Sequence, residues 1–167
     1  MVPMTLRDSA VIIVMGVAGS GKSTIARALG TELGAPFLDA DDFHSAANVA
    51  KMARGEALDD ADREGWLAAL RARIDDVLAH EGRAVLGCSA LKRAYRDKLG
   101  VGRPEIALVY LKGSFELFRD RLRRRTGHFM KDSMLESQFA ALEEPTDAIV
   151  VDAALAPEEI VRALLES

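Results

Sequence analysis

Cysteine is all but absent. Cys88 is the only one in 167 residues, which excludes an intrachain disulfide and any cysteine-rich metal site and points to a reducing compartment. Long apolar runs are also missing: none approaches the ~18 residues a membrane span needs. The opening stretch MVPMTLRDSA lacks the apolar core of a signal peptide, so a cytoplasmic chain with no membrane partner is expected. There is no excess of positive charge, since 22 Lys and Arg face 26 Asp and Glu, giving a formal charge of −4. Nucleic-acid binding rests on basic surface, so no nucleic-acid partner is expected. Repeats, low-complexity tracts and Pro/Gly/Ser-rich linkers are absent as well. Residues 1–167 therefore read as a single domain, long enough to bury a core of its own.

What is present is alternation. Short β-branched or apolar runs recur at Val11–Met15, Pro36–Leu38, Ala84–Gly87, Ile106–Leu111 and Ile149–Val151. Amphipathic helical patterns lie between them: Ile25, Leu29 and Leu33; then Leu67, Leu70, Ile74 and Val77; then Phe115, Phe118 and Leu122. Ser133 and Glu136 stand at capping-box spacing, and Pro157 suits the first turn of a last helix. Strands alternating with helices predict right-handed crossovers, hence an α/β fold: a five-stranded parallel sheet in a three-layer α/β/α arrangement. In such sheets ligands gather at the carboxyl ends of the strands.

The first run leads into GVAGSGKST, which fits G-x-x-x-x-G-K-[ST], the phosphate loop. Gly16, Gly19 and Gly21 let the backbone turn its N–H groups inward, and Ala18, Ser20 and Thr24 lend further backbone donors. Lys22 reaches the β- and γ-phosphates, Ser23 places a hydroxyl on Mg²⁺, and the helix beginning near Lys22 adds its dipole. ATP and Mg²⁺ are the expected cofactors.

Phosphate-loop enzymes also need an acid at a strand end near the metal. The strand ending GCSALKR offers none, and the one ending at Lys112 offers none. That leaves FLDADDFH and VVDAA, and the first supplies Asp39 and Asp41, two residues apart where a strand meets its loop. One of the two would orient Mg²⁺ or its waters and the other accept a proton from a substrate hydroxyl; spacing does not say which. The competing interpretation is a solvated acidic turn or helix cap. No N-K-x-D guanine-recognition motif occurs, and the chain is short for a motor, so a small phosphotransferase fits best.

Three blocks, DADDFHSAANVAKMARGEALDDADREGWL, CSALKRAYRDKL and RTGHFMKDSMLESQFAALEEP, resemble the gluconokinases of the small P-loop kinase group, which are related in fold to shikimate and adenylate kinases. The similarity spans roughly Val11 to Asp152. It implies transfer of the ATP γ-phosphate to the 6-hydroxyl of D-gluconate, and it leaves a homodimer open. A kinase of another small hydroxy acid and a non-catalytic sensor of gluconate or nucleotide are the alternatives. On this resemblance Asp41 is the proton acceptor and Asp39 works on the Mg²⁺ side. His44, Lys51, Arg63, Lys92 and His128 are candidate substrate contacts. Arg63 is favoured among the cations because its planar fork grips a carboxylate; its ordinary alternative is a helical ion pair. Cys88 is expected to be a packed apolar residue.

The arginine-rich FRDRLRRRTGHFM leads into an expected helical lid at about 124–140. By family position Arg121 faces nucleotide and Arg125 faces phosphate or substrate; the remaining arginines read as a solvated helical face. Adenine is expected near the Arg121 helix and the loop after Asp152. Departures from the family pattern are mild. Ser45, Ala57 and Lys131 stand where proline is frequent, which predicts looser loops without loss of a chemical group.

Overall fold

The five apolar runs pair as parallel strands, the three inner ones buried on both faces and the two edge ones only in part. In the computed structural model, which describes residues 6–80, 82–125 and 132–166, they are β1 (Val11–Met15), β2 (Phe37–Asp39), β3 (Ala84–Gly87), β4 (Ile106–Lys112) and β5 (Ile149–Asp152). They form one sheet in the order β2-β3-β1-β4-β5. The central strand β1 pairs Ile12 with Val85 on one side and with Ala107 on the other. Every pairing within the sheet is parallel, so all carboxyl ends lie along one edge.

Among the described residues seven α-helices accompany the strands: α1 (Lys22–Leu33), α2 (Ala46–Ala53), α3 (Asp60–Ala79), α4 (Arg93–Leu99), α5 (Phe115–Arg124), α6 (Asp132–Ala141) and, after the last strand, α7 (Pro157–Glu166). Pleat alternation on β1 splits the core in two. Ile12 and Val14 join Ile25 and Leu29 of α1, Phe118 and Leu122 of α5, and Ile160 and Leu164 of α7. Val11, Ile13 and Met15 join Trp66, Leu70 and Ile74 of α3 and Tyr95 and Leu99 of α4. The result is the three-layer α/β/α fold expected from the sequence.

Three local expectations change. Strand β2 runs one residue later than the apolar pattern suggested, because Pro36 has no N–H for the ladder and lends only its carbonyl, to the Val85 N–H at 2.9 Å. Asp39 thereby becomes the last strand residue. Ser133 falls inside α6, which already begins at Asp132, so it is not that helix's cap. The capping box occurs instead on α3, where Asp59 and Asp62 each accept the other's backbone N–H at 2.8 and 2.9 Å. Ser45 has a part that proline could not play: its Oγ accepts from the Asn48 N–H at 3.1 Å and caps α2.

Leu70 sits in the α3 layer at 1% exposure. Leu70→Ala should lower the unfolding free energy by about 2–5 kcal/mol, whereas Glu64→Ala on the exposed face of α3 should stay within about 0.5 kcal/mol. Urea midpoints at constant m-value check both.

Candidate active site

The phosphate loop joins β1 to α1. Gly19 (φ 83°) and Gly21 (φ 91°) take the left-handed backbone that side chains disfavour. Gly19 is also pressed against α5, where an added Cβ would lie 2.8 Å from the Phe118 carbonyl oxygen. Gly16 departs from expectation. Its φ is not positive, and it is required instead for space, since a Cβ would meet Ser20 Oγ at 2.4 Å. Helix α1 has no side-chain N-cap, so its first-turn amides at Lys22, Ser23 and Thr24 face an anion-binding position without a competing side chain. Two expected loop donors are engaged within the protein: the Ser20 N–H donates to the Val17 carbonyl at 3.2 Å, and the Ala18 N–H donates to Gln138 Oε1 of α6 at 2.8 Å.

Burial holds the Lys22 ammonium below its ordinary range, and Asp41, Cys88 and Asp39 oppose that shift, Asp41 most strongly. Asp39 and Asp41, two of the three carboxylates of FLDADDFH, therefore act on the lysine of the phosphate loop. Asp39 is the N-cap of a 3-10 turn over Ala40–Phe43, with Oδ1 accepting from the Asp41 N–H at 3.0 Å. It is thus a helix cap, and its second oxygen remains for another role. Asp41 is exposed. Cys88 is buried, and desolvation pushes its thiol up to about 12, which suits packing and not nucleophilic work.

Helix α3 anchors the acidic turn. Trp66, 4% exposed, donates its Nε1–H to the Ala40 carbonyl at 2.7 Å. His44 stacks on the same indole, ring centroids 4.5 Å apart and planes 11° from parallel. Burial lowers the His44 pKa below 6.5; Asp41 raises it and Arg63 adds to the lowering.

The three candidate cations differ. Lys51 is committed to Asp62 at 2.7 Å, tying α2 to the start of α3. Lys92 pairs with Asp60 at 3.2 Å. Arg63 makes no salt bridge among the described residues; its Nη1 donates to the Tyr95 hydroxyl at 3.2 Å, and its guanidinium lies 5.5 Å from that ring's centroid. The helical ion pair that was the ordinary alternative for Arg63 is therefore absent there. Tyr95 in turn donates to Asp60 Oδ1, so Asp60, Tyr95, Lys92 and Arg63 form one polar cluster.

Arg121 bridges the phosphate loop and the loop after β5. Its Nη2 donates to the Ala153 carbonyl at 2.5 Å, and Nη1 approaches the carbonyls of Gly19 and Ser20 at 3.4 and 3.5 Å. Arg125 ends α5, exposed, and its charge reaches Lys22. Arg123 pairs with Asp132 at 2.7 Å, as a solvated helical face should. His128 lies outside the described residues, as do residues 126–131 of the expected lid; Asp132–Ala141 of that segment is α6.

Residues 11–156 match the AAA domain family. The thermoresistant gluconokinase of Escherichia coli (strain K12) is 42% identical over 166 residues, covering 97% of this chain and 95% of the relative. The chain belongs to the gluconokinase family. The gluconokinase of Gluconobacter oxydans (strain 621H) is 46% identical over 136 residues, covering 81% of this chain and 76% of the relative. A crystal structure of a gluconokinase from Sinorhizobium meliloti 1021 superposes with a TM-score of 0.85 at 42% identity, covering 98% of this chain and 92% of that one.

Sequence reasoning missed Tyr95, Asn48 and Gln138. Tyr95 stands three residues after Lys92 and Asn48 four after His44, but Lys92 and His44 are extended residues that precede α4 and α2, so helical spacing gave no signal for either pair. Nothing local links Gln138 to Ala18.

The His44 ring should titrate below 6.5 in NMR. Asp41→Asn should lower the midpoint further and Arg63→Gln should raise it; a midpoint at or above 6.5 in the unmodified chain contradicts the burial described here.

Proposed function

We propose that this gluconokinase-family chain transfers the γ-phosphoryl group of ATP to the 6-hydroxyl of D-gluconate, giving 6-phospho-D-gluconate and ADP. The observation that carries the reading is the convergence of Lys22, Asp41 and Asp39 at the carboxyl edge of the sheet. In this reading the amides of the α1 first turn and Lys22 hold the phosphates. Asp41 takes the proton of the attacking hydroxyl as its oxygen bonds to the γ-phosphorus and the bond to the bridging oxygen breaks. General-base help of this kind contributes about 10²–10⁴-fold. Lys22 and Arg125 stabilise the charge that develops on the transferring group.

The Ser23 hydroxyl and the Asp39 carboxylate are hard oxygen donors of the type Mg²⁺ takes, and a metal shared with phosphates needs only one or two protein ligands. Mg²⁺ held there would neutralise phosphate charge and fix its orientation. Arg63, His44 and Lys92 are assigned to the sugar acid. Arg63 is the preferred carboxylate partner because its guanidinium has no carboxylate of its own among the described residues, whereas Lys51 and Lys92 are already paired. Arg121, with the loop after β5, is assigned to the nucleotide, and the segment at about 124–140, including His128, to a lid over the phosphates.

ADP release with Mg²⁺-ATP should occur with D-gluconate and not with shikimate, glucose, glycerate, AMP or water alone. Turnover with another acceptor keeps the kinase chemistry and overturns the pocket assignment; nucleotide binding without any turnover points to a sensor. Arg63→Ala should raise the gluconate KM by about tenfold or more, in keeping with the loss of a charge-assisted hydrogen bond, and leave the ATP KM nearly unchanged. Equal effects on both constants reject a substrate-specific role.

A further inference from the structure

Asn48 is a polar residue at 6% exposure, and both hydrogens of its side-chain amide are used. Nδ2 donates to the Asp62 carbonyl at 2.7 Å and lies 3.3 Å from His44 Nδ1. The orientation of the amide follows from the first contact. Turned over, Oδ1 would face a carbonyl oxygen at the same distance, with two acceptors and no proton between them. The nitrogen therefore also faces His44, and an N–H aimed at Nδ1 requires a lone pair there. The ring proton must then sit on Nε2.

We propose that Asn48 is a positioning residue that fixes His44 as the neutral Nε2–H tautomer, so that the ring offers the polyol a donor and not an acceptor. The proposal rests on the reading of His44 as a gluconate contact. Its second support is the set of contacts that orient the ring. His44 is stacked on Trp66, Trp66 is pinned to the Ala40 carbonyl, and Asn48 is held at the start of α2 by the Ser45 cap. Nε2 has no protein hydrogen-bond partner among the described residues. Asp41 and Arg63 are the charged groups acting on the ring, and burial favours its neutral form.

The polarity of the resulting chain has a chemical consequence. Asn48 donates to Nδ1 and Nε2–H donates to a substrate oxygen. A hydroxyl accepting that bond keeps its own proton to give to a carboxylate such as Asp41. A His44 in the opposite tautomer would compete for that proton.

Long-range ¹H–¹⁵N correlation on the full-length ¹⁵N-labelled chain reads the tautomer directly. The sequence holds three histidines, and loss of one set of signals in His44→Gln assigns the ring. At mildly alkaline pH His44 should show a pyridine-type Nδ1 and a pyrrole-type Nε2. Asn48→Leu should give mixed tautomers and raise the gluconate KM by about 3–10-fold, the worth of one hydrogen bond, with the ATP KM unchanged. A pyrrole-type Nδ1 in the unmodified chain, or an unaltered tautomer in Asn48→Leu, overturns the proposal. The spectrum of the unmodified chain decides the tautomer even where Asn48→Leu fails to fold. The expected tautomer in a chain with no gluconate turnover would sink the substrate reading and leave the positioning role standing.

Discussion

Parallel pairing of the strands is the constraint on which the rest of the molecule depends. With β1 at the centre and every pairing in the sheet parallel, each crossover must return over a face, and the carboxyl ends collect along one edge. That edge receives the phosphate loop after β1, the acidic turn after β2 and the loop carrying Lys92 after β3. Segments far apart in the chain, from Gly16 to Arg121, thus surround one position. The close approach of Gly19 to the Phe118 carbonyl lets α5 bring Arg121 and Arg125 to the same place.

Precision at this edge comes from buried hydrogen bonds more than from surface charge pairs. Exposed pairs such as Arg54–Glu56 contribute little. Trp66, Asn48 and Arg96 are each 6% exposed or less, and losing one of them would strand buried acceptors, at about 1–3 kcal/mol per unsatisfied group. Arg96 donates to the carbonyls of Ala90, Leu91 and Glu143, which joins the loop bearing Lys92 to the chain that follows α6. Gln138 on α6 meets the phosphate loop itself. The loop bearing Lys92, the phosphate loop and the α6 segment are in this way linked by hydrogen bonds.

Much of this was legible in the sequence. The strands announced themselves because buried parallel strands are β-branched runs, and the phosphate loop because its chemistry dictates glycines at fixed spacing. The short helices α2 and α4, of 8 and 7 residues, carry too few turns for a periodic signal. From the sequence a cap role for Asp39 competes with a functional one, whereas the side chain makes the capping bond with one oxygen and keeps the other. The motif spacing suggests dihedral freedom at Gly16, whereas the constraint there is steric. Tyr95 and Asn48 escaped notice because their roles lie in what they hold, which depends on the packing of α2, α3 and α4 around Trp66 and not on any motif.

The central claim is that Asp41 accepts the proton of the sugar hydroxyl while the phosphate loop grips the nucleotide independently of it. Single-turnover phosphoryl transfer in Asp41→Asn, measured beside nucleotide affinity in the same preparation, tests this most directly. Nucleotide affinity should remain near that of the unmodified chain while the transfer rate falls by about 10²–10⁴-fold. A transfer rate close to normal would contradict the assignment of Asp41 as the base.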